Sequence, residues 1–284
     1  MSLRRPRSLA MTPSNPHPFR IAAAGLGLLA AIAAAAPARA GETTLKAGFA
    51  VSISGIPIGR ADMVAKFNDN GTYAATVNGS TFGLSRLVSD ARAEMAGTGT
   101  IAGQKVVPAS YNLTSKEGSF ESSVAMGMRD RAIVQLDAKP EPKPDPTRIP
   151  VTAASKRGVV DPLGAFVVVL DNPDNLDGKT VCNRKMKVFD GWERFDVAFS
   201  YKETKRFSGG GGSYSGTVIA CKARYIPVAG HTKNGGNAAL LGKAPIEVWL
   251  APVKGTNLMV PVTFVVGTEY GVVVARARSF QVVR

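Results

Sequence analysis

The chain has 284 residues, of which 45% are hydrophobic, and its 35 Lys and Arg against 21 Asp and Glu give a formal net charge of +14. Only two cysteines and two histidines are present, which argues against a metal protein rich in these ligands. In a cytoplasmic protein this charge would indicate nucleic acid as the partner, so the cellular compartment decides how the charge is interpreted.

Residues 1–40 have the three parts of a secretory signal. Four arginines and no acid lie in the first twenty residues, an Ala-rich apolar run follows, and Ala38 and Ala40 form the A-x-A pattern of a cleavage site. A membrane anchor is the alternative, although the apolar run is short for a span of about 20 strongly apolar residues. We predict cleavage after Ala40 and a periplasmic location.

The chain from residue 41 to residue 284 is predicted to be a single periplasmic domain. Loss of the five signal arginines leaves 30 basic against 21 acidic side chains, a net charge of +9. For an exported protein this charge points to anionic envelope surfaces or lipids. A solvated basic surface is the simpler alternative, because no run of Lys and Arg is longer than two residues.

Alternation of apolar and polar residues predicts strands through most of this domain. The clearest example places Phe195, Val197, Phe199 and Tyr201 on one face of a strand. Turn-forming residues separate such segments, and Asp190–Gly191 fits a two-residue hairpin turn. We predict a mainly β fold with a single antiparallel, strongly curved sheet, as in a half-barrel or β-spiral.

A proline-rich segment interrupts the strand pattern. Residues 138–150 contain five prolines, which lack the N–H that a central strand needs. We predict an extended, polyproline-like loop here.

One short helix is predicted, over residues 161–170. Asp161 is a suitable N-cap, Pro162 suits the first helical position, and an apolar stripe begins at Leu163. A buried strand is the alternative, since three consecutive valines are poor helix formers.

Cys182 and Cys221 are the two cysteines of the chain, 39 positions apart. In an oxidising compartment two cysteines usually pair. A redox pair would normally be C-x-x-C, and zinc sites use closer spacings. We predict an intramolecular disulfide that joins two strand regions.

The remaining motifs favour turns over chemistry. His231, the one histidine after the signal, lies in a Gly/Asn-rich loop and is predicted to be exposed. The glycine run at 208–216 lacks the Lys-Ser/Thr of a phosphate-binding loop, and the acidic cluster at 171–178 lacks the ligand spacing of a calcium loop. We therefore predict no catalytic residue, no cofactor and no metal.

Five segments occur in the order found in a known family. They are residues 55–63, 161–166, 188–197, 221–230 and 248–252. Together they resemble the exported proteobacterial domain-of-unknown-function family numbered 3108. More distantly, the chain is similar to the alphaproteobacterial envelope integrity protein B, a disulfide-containing β-spiral. The resemblance implies a periplasmic protein without an assigned activity.

These patterns favour a non-enzymatic binding or scaffold protein that supports the cell envelope. Its curved sheet would hold a lipid, or a lipidated or other peptide, and its partner would be an envelope component rather than nucleic acid. A hydrolase acting on envelope glycan or lipid is one alternative. A purely structural partner of an outer-membrane or peptidoglycan complex is the other.

Two groups of side chains are candidates for the site or its surroundings. Aromatic residues are predicted to line either the core or the concave site: Phe195, Phe199, Trp249 and Phe264. Basic residues are candidates for the rim, where they would bind a phosphate or carboxylate head group: Arg224, Arg276 and Arg278.

Overall fold

The structure, a computed structural model, describes residues 41–82, 90–174, 176–233 and 235–284. The predicted signal segment lies outside the described residues, so cleavage after Ala40 stays a prediction.

The described chain consists mainly of strands. Fourteen strands are present: β1 (Glu42–Ile53), β2 (Ile56–Asn68), β3 (Thr72–Thr81), β4 (Ala91–Ala102), β5 (Lys105–Glu117), β6 (Phe120–Arg129), β7 (Ala132–Lys139), β8 (Val168–Val169), β9 (Lys185–Phe189), β10 (Arg194–Ser208), β11 (Ser215–Ala229), β12 (Ile246–Pro252), β13 (Leu258–Thr268) and β14 (Gly271–Val283). Two short helices accompany them: α1 (Gly178–Cys182) and α2 (Gly236–Leu241).

All fourteen strands belong to one antiparallel sheet that is not closed into a barrel. Its order is β7-β6-β5-β4-β3-β2-β1-β14-β13-β12-β11-β10-β9, and β8 pairs with β13. The first and last strands are neighbours, with Thr44 opposite Val283. The prediction of a mainly β fold with a single antiparallel sheet is therefore confirmed.

A short segment links the two edge strands of the sheet. Arg157 forms an antiparallel bridge to Ala132 in β7, and Val160 forms a parallel bridge to Val188 in β9. The turn between β9 and β10 consequently packs on β6, where a Cβ at Gly191 would lie 2.6 Å from a Val124 methyl. The φ angle of +114° at this position also requires glycine.

The predicted hairpin of β9 and β10 is present, but its turn is longer than expected. Residues 190–193 form a four-residue connection, because Phe189 pairs with Arg194. The Asp190 carboxylate accepts the backbone N–H of Trp192 at 2.9 Å and of Glu193 at 2.7 Å. This aspartate turn stabilises the wider loop in place of the two-residue turn.

The proline-rich loop predicted over residues 138–150 begins two residues later than expected, because Ala138 and Lys139 still belong to β7. From Pro140 onward the segment forms no strand of the sheet and lies against neighbouring loops. The Trp192 indole N–H donates to the Pro140 carbonyl at 3.1 Å, and the Ile149 N–H donates to the His231 carbonyl at 2.9 Å. His231 is only 9% exposed, so the prediction of an exposed histidine is wrong. Sequence patterns gave no sign that a distant loop would cover it.

The prediction of a helix over residues 161–170 is wrong. Asp161 does cap a turn, since its carboxylate accepts the N–H of Leu163 at 2.8 Å and of Gly164 at 3.0 Å. The turn is, however, a single 3-10 turn over Gly164–Phe166 and not an α-helix. The valines that follow then become β8, where pairing with β13 supplies the backbone hydrogen bonds. The strand alternative is correct for Val168–Val169.

The predicted disulfide between Cys182 and Cys221 is present, with their Cα atoms 5.5 Å apart. Cys182 ends α1 and does not lie in a strand, so the bond joins a helix to β11. Both cysteines are fully buried, and they belong to a hydrophobic cluster that includes Ile219 and Leu250. The bond thus lies in the core and not at the surface.

Candidate ligand-binding cavity

A cavity of about 210 Å³ lies on the inner face of the sheet, between the strands and residues 161–170, which we name the strap. The sheet contributes side chains from β1 to β4, β13 and β14, such as Met63 and Phe264. The described lining residues are all apolar except Tyr73, whose hydroxyl oxygen is buried. Residues of the strap complete the wall: Pro162, Leu163, Phe166 and Val167.

The strap forms one wall of the cavity and does not fill it. The Phe166 ring meets the Phe264 ring edge to face, with the centroids 4.8 Å apart. Phe166 remains 38% exposed, whereas Val168 and Val169 beyond it are buried. The strap is therefore anchored at its β8 end and borders open space at Phe166.

The other anchor of the strap is the carboxyl group of Asp161, which is fully buried. One oxygen accepts the two capping hydrogen bonds, and the second has no hydrogen-bond partner among the described residues. Burial raises the pKa of Asp161 to about 6, although the hydrogen bonds from Gly164 and Leu163 act in the opposite direction.

Tyr73 brings a second unpartnered polar group to the same place. Its hydroxyl is buried and makes no hydrogen bond within the described part of the chain. Burial, together with the nearby Asp161 carboxylate, raises the pKa of Tyr73 above its usual range. A Cβ added to Gly164 would lie 2.8 Å from the Asp161 oxygen and 3.4 Å from the Tyr73 hydroxyl, so the strap can pack here only with glycine.

The inner face becomes more exposed in one direction. On β1, Leu45 and Ala47 are buried, but Phe49 is partly exposed. On β3, Tyr73 is buried and Val77 is partly exposed. Both gradients run toward the end of the sheet that carries the β1–β2, β5–β6 and β13–β14 turns, which we name the open end. The cavity therefore opens toward that end.

One of the four aromatic candidates lines the cavity, namely Phe264. Phe199 packs beside the disulfide cluster, and Phe195 stacks on Tyr225 with ring centroids 4.8 Å apart. Trp249 lies in another cluster, with the Lys205 ammonium 3.5 Å from its ring centroid. Most of the aromatic candidates therefore serve packing.

The three candidate arginines are not among the residues that line the described cavity. Arg224 and Arg278 are exposed. Ala275 lines the cavity, so the adjacent Arg276 lies on the opposite face of β14. The Arg276 guanidinium lies 4.5 Å from the Phe207 ring centroid and donates to the Ser208 carbonyl at 2.9 Å. The structure does not bring these arginines together.

Sequence reasoning missed the cavity itself, although a signal for it exists. The residues of β2 and β3 that face the cavity alternate small with large, as in Ala61, Met63, Ala65 and Phe67. Alanine at facing positions leaves space that larger side chains would fill. This pattern distinguishes a cavity from a packed core only when the neighbouring strand is known.

The described residues show no arrangement for metal chemistry. In the ranges that the structure covers, no three His, Cys, Asp or Glu side chains are grouped so that they could hold a metal ion. Nor does any helix in the described part of the chain have the length and hydropathy needed to cross a bilayer.

Comparison with known proteins identifies the family. The profile of the family "Protein of unknown function (DUF3108)" matches residues 48–278, and the chain therefore belongs to this family. No curated protein matches significantly. A crystal structure of a beta-barrel-like protein of domain of unknown function DUF1849 from Brucella abortus is similar over 86% of this chain and 98% of its own, with 10% sequence identity and a TM-score of 0.47.

Proposed function

We propose that the protein is a non-catalytic binding protein of the periplasm that holds an acyl chain of an envelope lipid or lipidated peptide. The observation that supports this most strongly is the apolar cavity on the inner face, where Tyr73 is the one polar residue of the described lining. A cavity of 150 Å³ lined by apolar side chains stays dry and binds benzene. A cavity of about 210 Å³ has room for a longer apolar group.

The energetics of an unfilled cavity support a ligand. Because the cavity opens toward the open end, its apolar walls are exposed to water when no ligand is bound. Each methylene group of a chain that enters it would contribute about 0.8 kcal/mol through burial, and the polar head of the ligand would remain at the open end.

The buried disulfide is compatible with an oxidising compartment such as the periplasm. An acyl chain is the apolar group that the lipids and lipoproteins of the envelope share. The partner we propose is therefore an envelope component that is recognised through its chain.

Titration with a fluorescent fatty acid tests this function, and neighbouring residues of β3 provide a matched pair of variants. Ala75 lines the cavity, whereas Ala74 lies on the opposite face of the same strand. We expect saturable binding by wild type and Ala74→Phe, and at least about a ten-fold weaker affinity for Ala75→Phe. Absence of binding by wild type, or equal binding by both variants, would contradict the proposal.

Competition experiments distinguish the two sources of the chain. The protein is loaded with the fluorescent fatty acid, and three competitors are added separately: unlabelled fatty acid, an acylated peptide, and the same peptide without its acyl group. We expect the fatty acid and the acylated peptide to displace the fluorescent probe, and the unacylated peptide to leave it bound. Displacement by the unacylated peptide would show that the chain is not what the protein recognises.

A further inference from the structure

The open end exposes large apolar side chains at three of its described turns. Ile56 follows the β1–β2 turn and is 66% exposed, Phe120 follows the β5–β6 turn and is 59% exposed, and Tyr270 in the β13–β14 turn is 78% exposed. The turns at Ile56 and Tyr270 are in contact, since the Ser54 N–H donates to the Val272 carbonyl at 2.8 Å. Val272 is itself 46% exposed.

The opposite end of the same strands has a different composition. Its turns are Asp69–Gly71 between β2 and β3, Gly103–Gln104 between β4 and β5, and Asp130–Arg131 between β6 and β7. In these described turns no large apolar side chain is exposed. Exposed apolar side chains also lie near this end, at Val134 in β7 and Val283 in β14, so the difference between the two ends concerns the residues in and next to the turns.

The exposed apolar residues lie at the end of the sheet toward which the cavity opens. The inner face loses burial toward this end, from Leu45 through Phe49 on β1 and from Tyr73 through Val77 on β3. An acyl chain that enters the cavity from this direction would pass Ile56 and its neighbours. If this end touches a bilayer, its exposed apolar side chains lower the free-energy cost of moving an acyl chain from the bilayer into the cavity, because the chain need not cross water.

Two arginines lie behind the turns on the outer face. Arg60 and Arg92 are both exposed and both pair with Ser80 of β3, so their side chains share one face of the sheet. Neither forms an ion pair with a described residue. At this end Glu121 pairs with Lys116 at 2.6 Å, and Glu269 lies next to Tyr270 in the β13–β14 turn. Asp62 and Glu94 are exposed on the same face as the two arginines, each two residues farther from the open end.

We infer that the open end docks on an anionic phospholipid membrane, with Ile56, Phe120, Tyr270 and Val272 in the interface and Arg60 and Arg92 facing lipid phosphates. Tyrosine suits this position, since its ring is apolar and its hydroxyl polar. Arginine reaches phosphates while its stem covers apolar surface. This inference extends the proposed function, because the docked mouth would take its acyl chain directly from the bilayer.

Vesicle flotation tests the inference. The probes are vesicles of phosphatidylethanolamine with phosphatidylglycerol, and vesicles of phosphatidylcholine alone. We expect wild type to float with the anionic vesicles and the double variant Ile56→Ser/Tyr270→Ser to bind about ten-fold more weakly. Val134→Ser is the matched control, since Val134 is 61% exposed but lies outside the open end, and it should bind as wild type.

The charge contribution is tested separately. Arg60→Gln and Arg92→Gln should each weaken binding to anionic vesicles by about five-fold, and added salt should reduce the difference. All proteins in the series are purified from the periplasmic fraction and begin at Gly41 after the predicted cleavage, so the basic and apolar segment 1–40 does not contribute to flotation.

The cavity variant separates this inference from the proposed function. Ala75→Phe should lose fatty-acid binding but still float, whereas Ile56→Ser/Tyr270→Ser should lose flotation but still bind soluble fatty acid. Failure of wild type to float with either vesicle would overturn the inference and leave the acyl-chain function in place. A dimer in sedimentation that the double variant abolishes would also overturn it, since the open end would then bind a second copy.

Discussion

The Asp161 carboxylate and the Tyr73 hydroxyl face the same side of Gly164, 2.8 and 3.4 Å from the point where a Cβ would stand. Both groups are buried, and each has a polar atom without a hydrogen-bond partner in the described chain. The strap therefore packs on the sheet through a glycine that separates two unsatisfied polar groups. This contact holds the wall of the cavity in position.

Substitution of Gly164 should disturb the strap. A Cβ would lie 2.8 Å from the Asp161 oxygen and 3.2 Å from a Val106 methyl, so Gly164→Ala overpacks a buried contact. We expect a loss of about 1–3 kcal/mol in the free energy of unfolding, measured with urea. Gly211→Ala is the control, because a Cβ at Gly211 would meet nothing within 4 Å. Equal stability of the two variants would contradict this packing.

Asp161 should make stability depend on pH. Its folded-state pKa is raised to about 6, so the folded protein binds the proton more tightly than the unfolded chain. The contribution of Asp161 to the free energy of unfolding should therefore fall by roughly 3 kcal/mol as the pH rises from about 4 to about 6. Burial raises the pKa of Asp190 to about 6 as well, so it contributes in the same direction. Carboxylates whose pKa is lowered, such as Asp196 and Glu247, contribute in the opposite direction.

Asp161→Asn isolates this contribution. Asparagine keeps the oxygen that accepts the capping hydrogen bonds and removes the buried charge. At pH 7 the variant should be more stable than wild type, and the difference in stability between the two should grow as the pH rises from about 4 to about 6. Urea unfolding at a series of pH values measures both effects. An unchanged pH dependence would show that Asp161 is not the titrating group.

The disulfide should contribute a large part of the stability. It closes a loop over a separation of 39 residues, which corresponds to about 4 kcal/mol in the chain-entropy treatment. The double variant Cys182→Ala/Cys221→Ala should unfold at a correspondingly lower urea concentration while its far-ultraviolet circular dichroism remains that of a β protein. Mass analysis of unreduced wild type should show both thiols missing. Free thiols at both positions would contradict the bond.

Processing at the N-terminus is a further expectation. Sequencing of the protein from the periplasmic fraction should begin at Gly41, which follows the predicted cleavage site. The described strands begin at Glu42, so the cleaved chain would keep the whole sheet. Recovery of the protein in washed membranes with residues 1–40 attached would contradict export with cleavage.

The strands could be predicted from sequence because alternation is a local property. The hairpin at Asp190, the proline-rich loop and the cysteine pair each had such a local signal. The strap did not, because the pattern around Asp161 and Pro162 fits the start of a helix. Pairing with β13 decides its conformation, and β13 lies far away in the chain.

The cavity could not be predicted because it depends on contacts between distant strands. Ala61 of β2, Ala275 of β14 and Leu163 of the strap border one space only after β1 has paired with β14. The same reason explains why the three candidate arginines do not lie at the cavity. Strand alternation places Arg276 on the face opposite Ala275, but which face holds the cavity depends on the strap.

Mass analysis of what the native protein carries tests the acyl-chain function most directly. Wild type, Ala74→Phe and Ala75→Phe are each purified from the periplasm without detergent. Bound lipid is then extracted from each protein with organic solvent. We expect acyl-chain lipid in near-equal amounts from wild type and Ala74→Phe, and little from Ala75→Phe. Absence of acyl-chain lipid from folded wild type, or the same amount from folded Ala75→Phe, would contradict an acyl-chain site in this cavity.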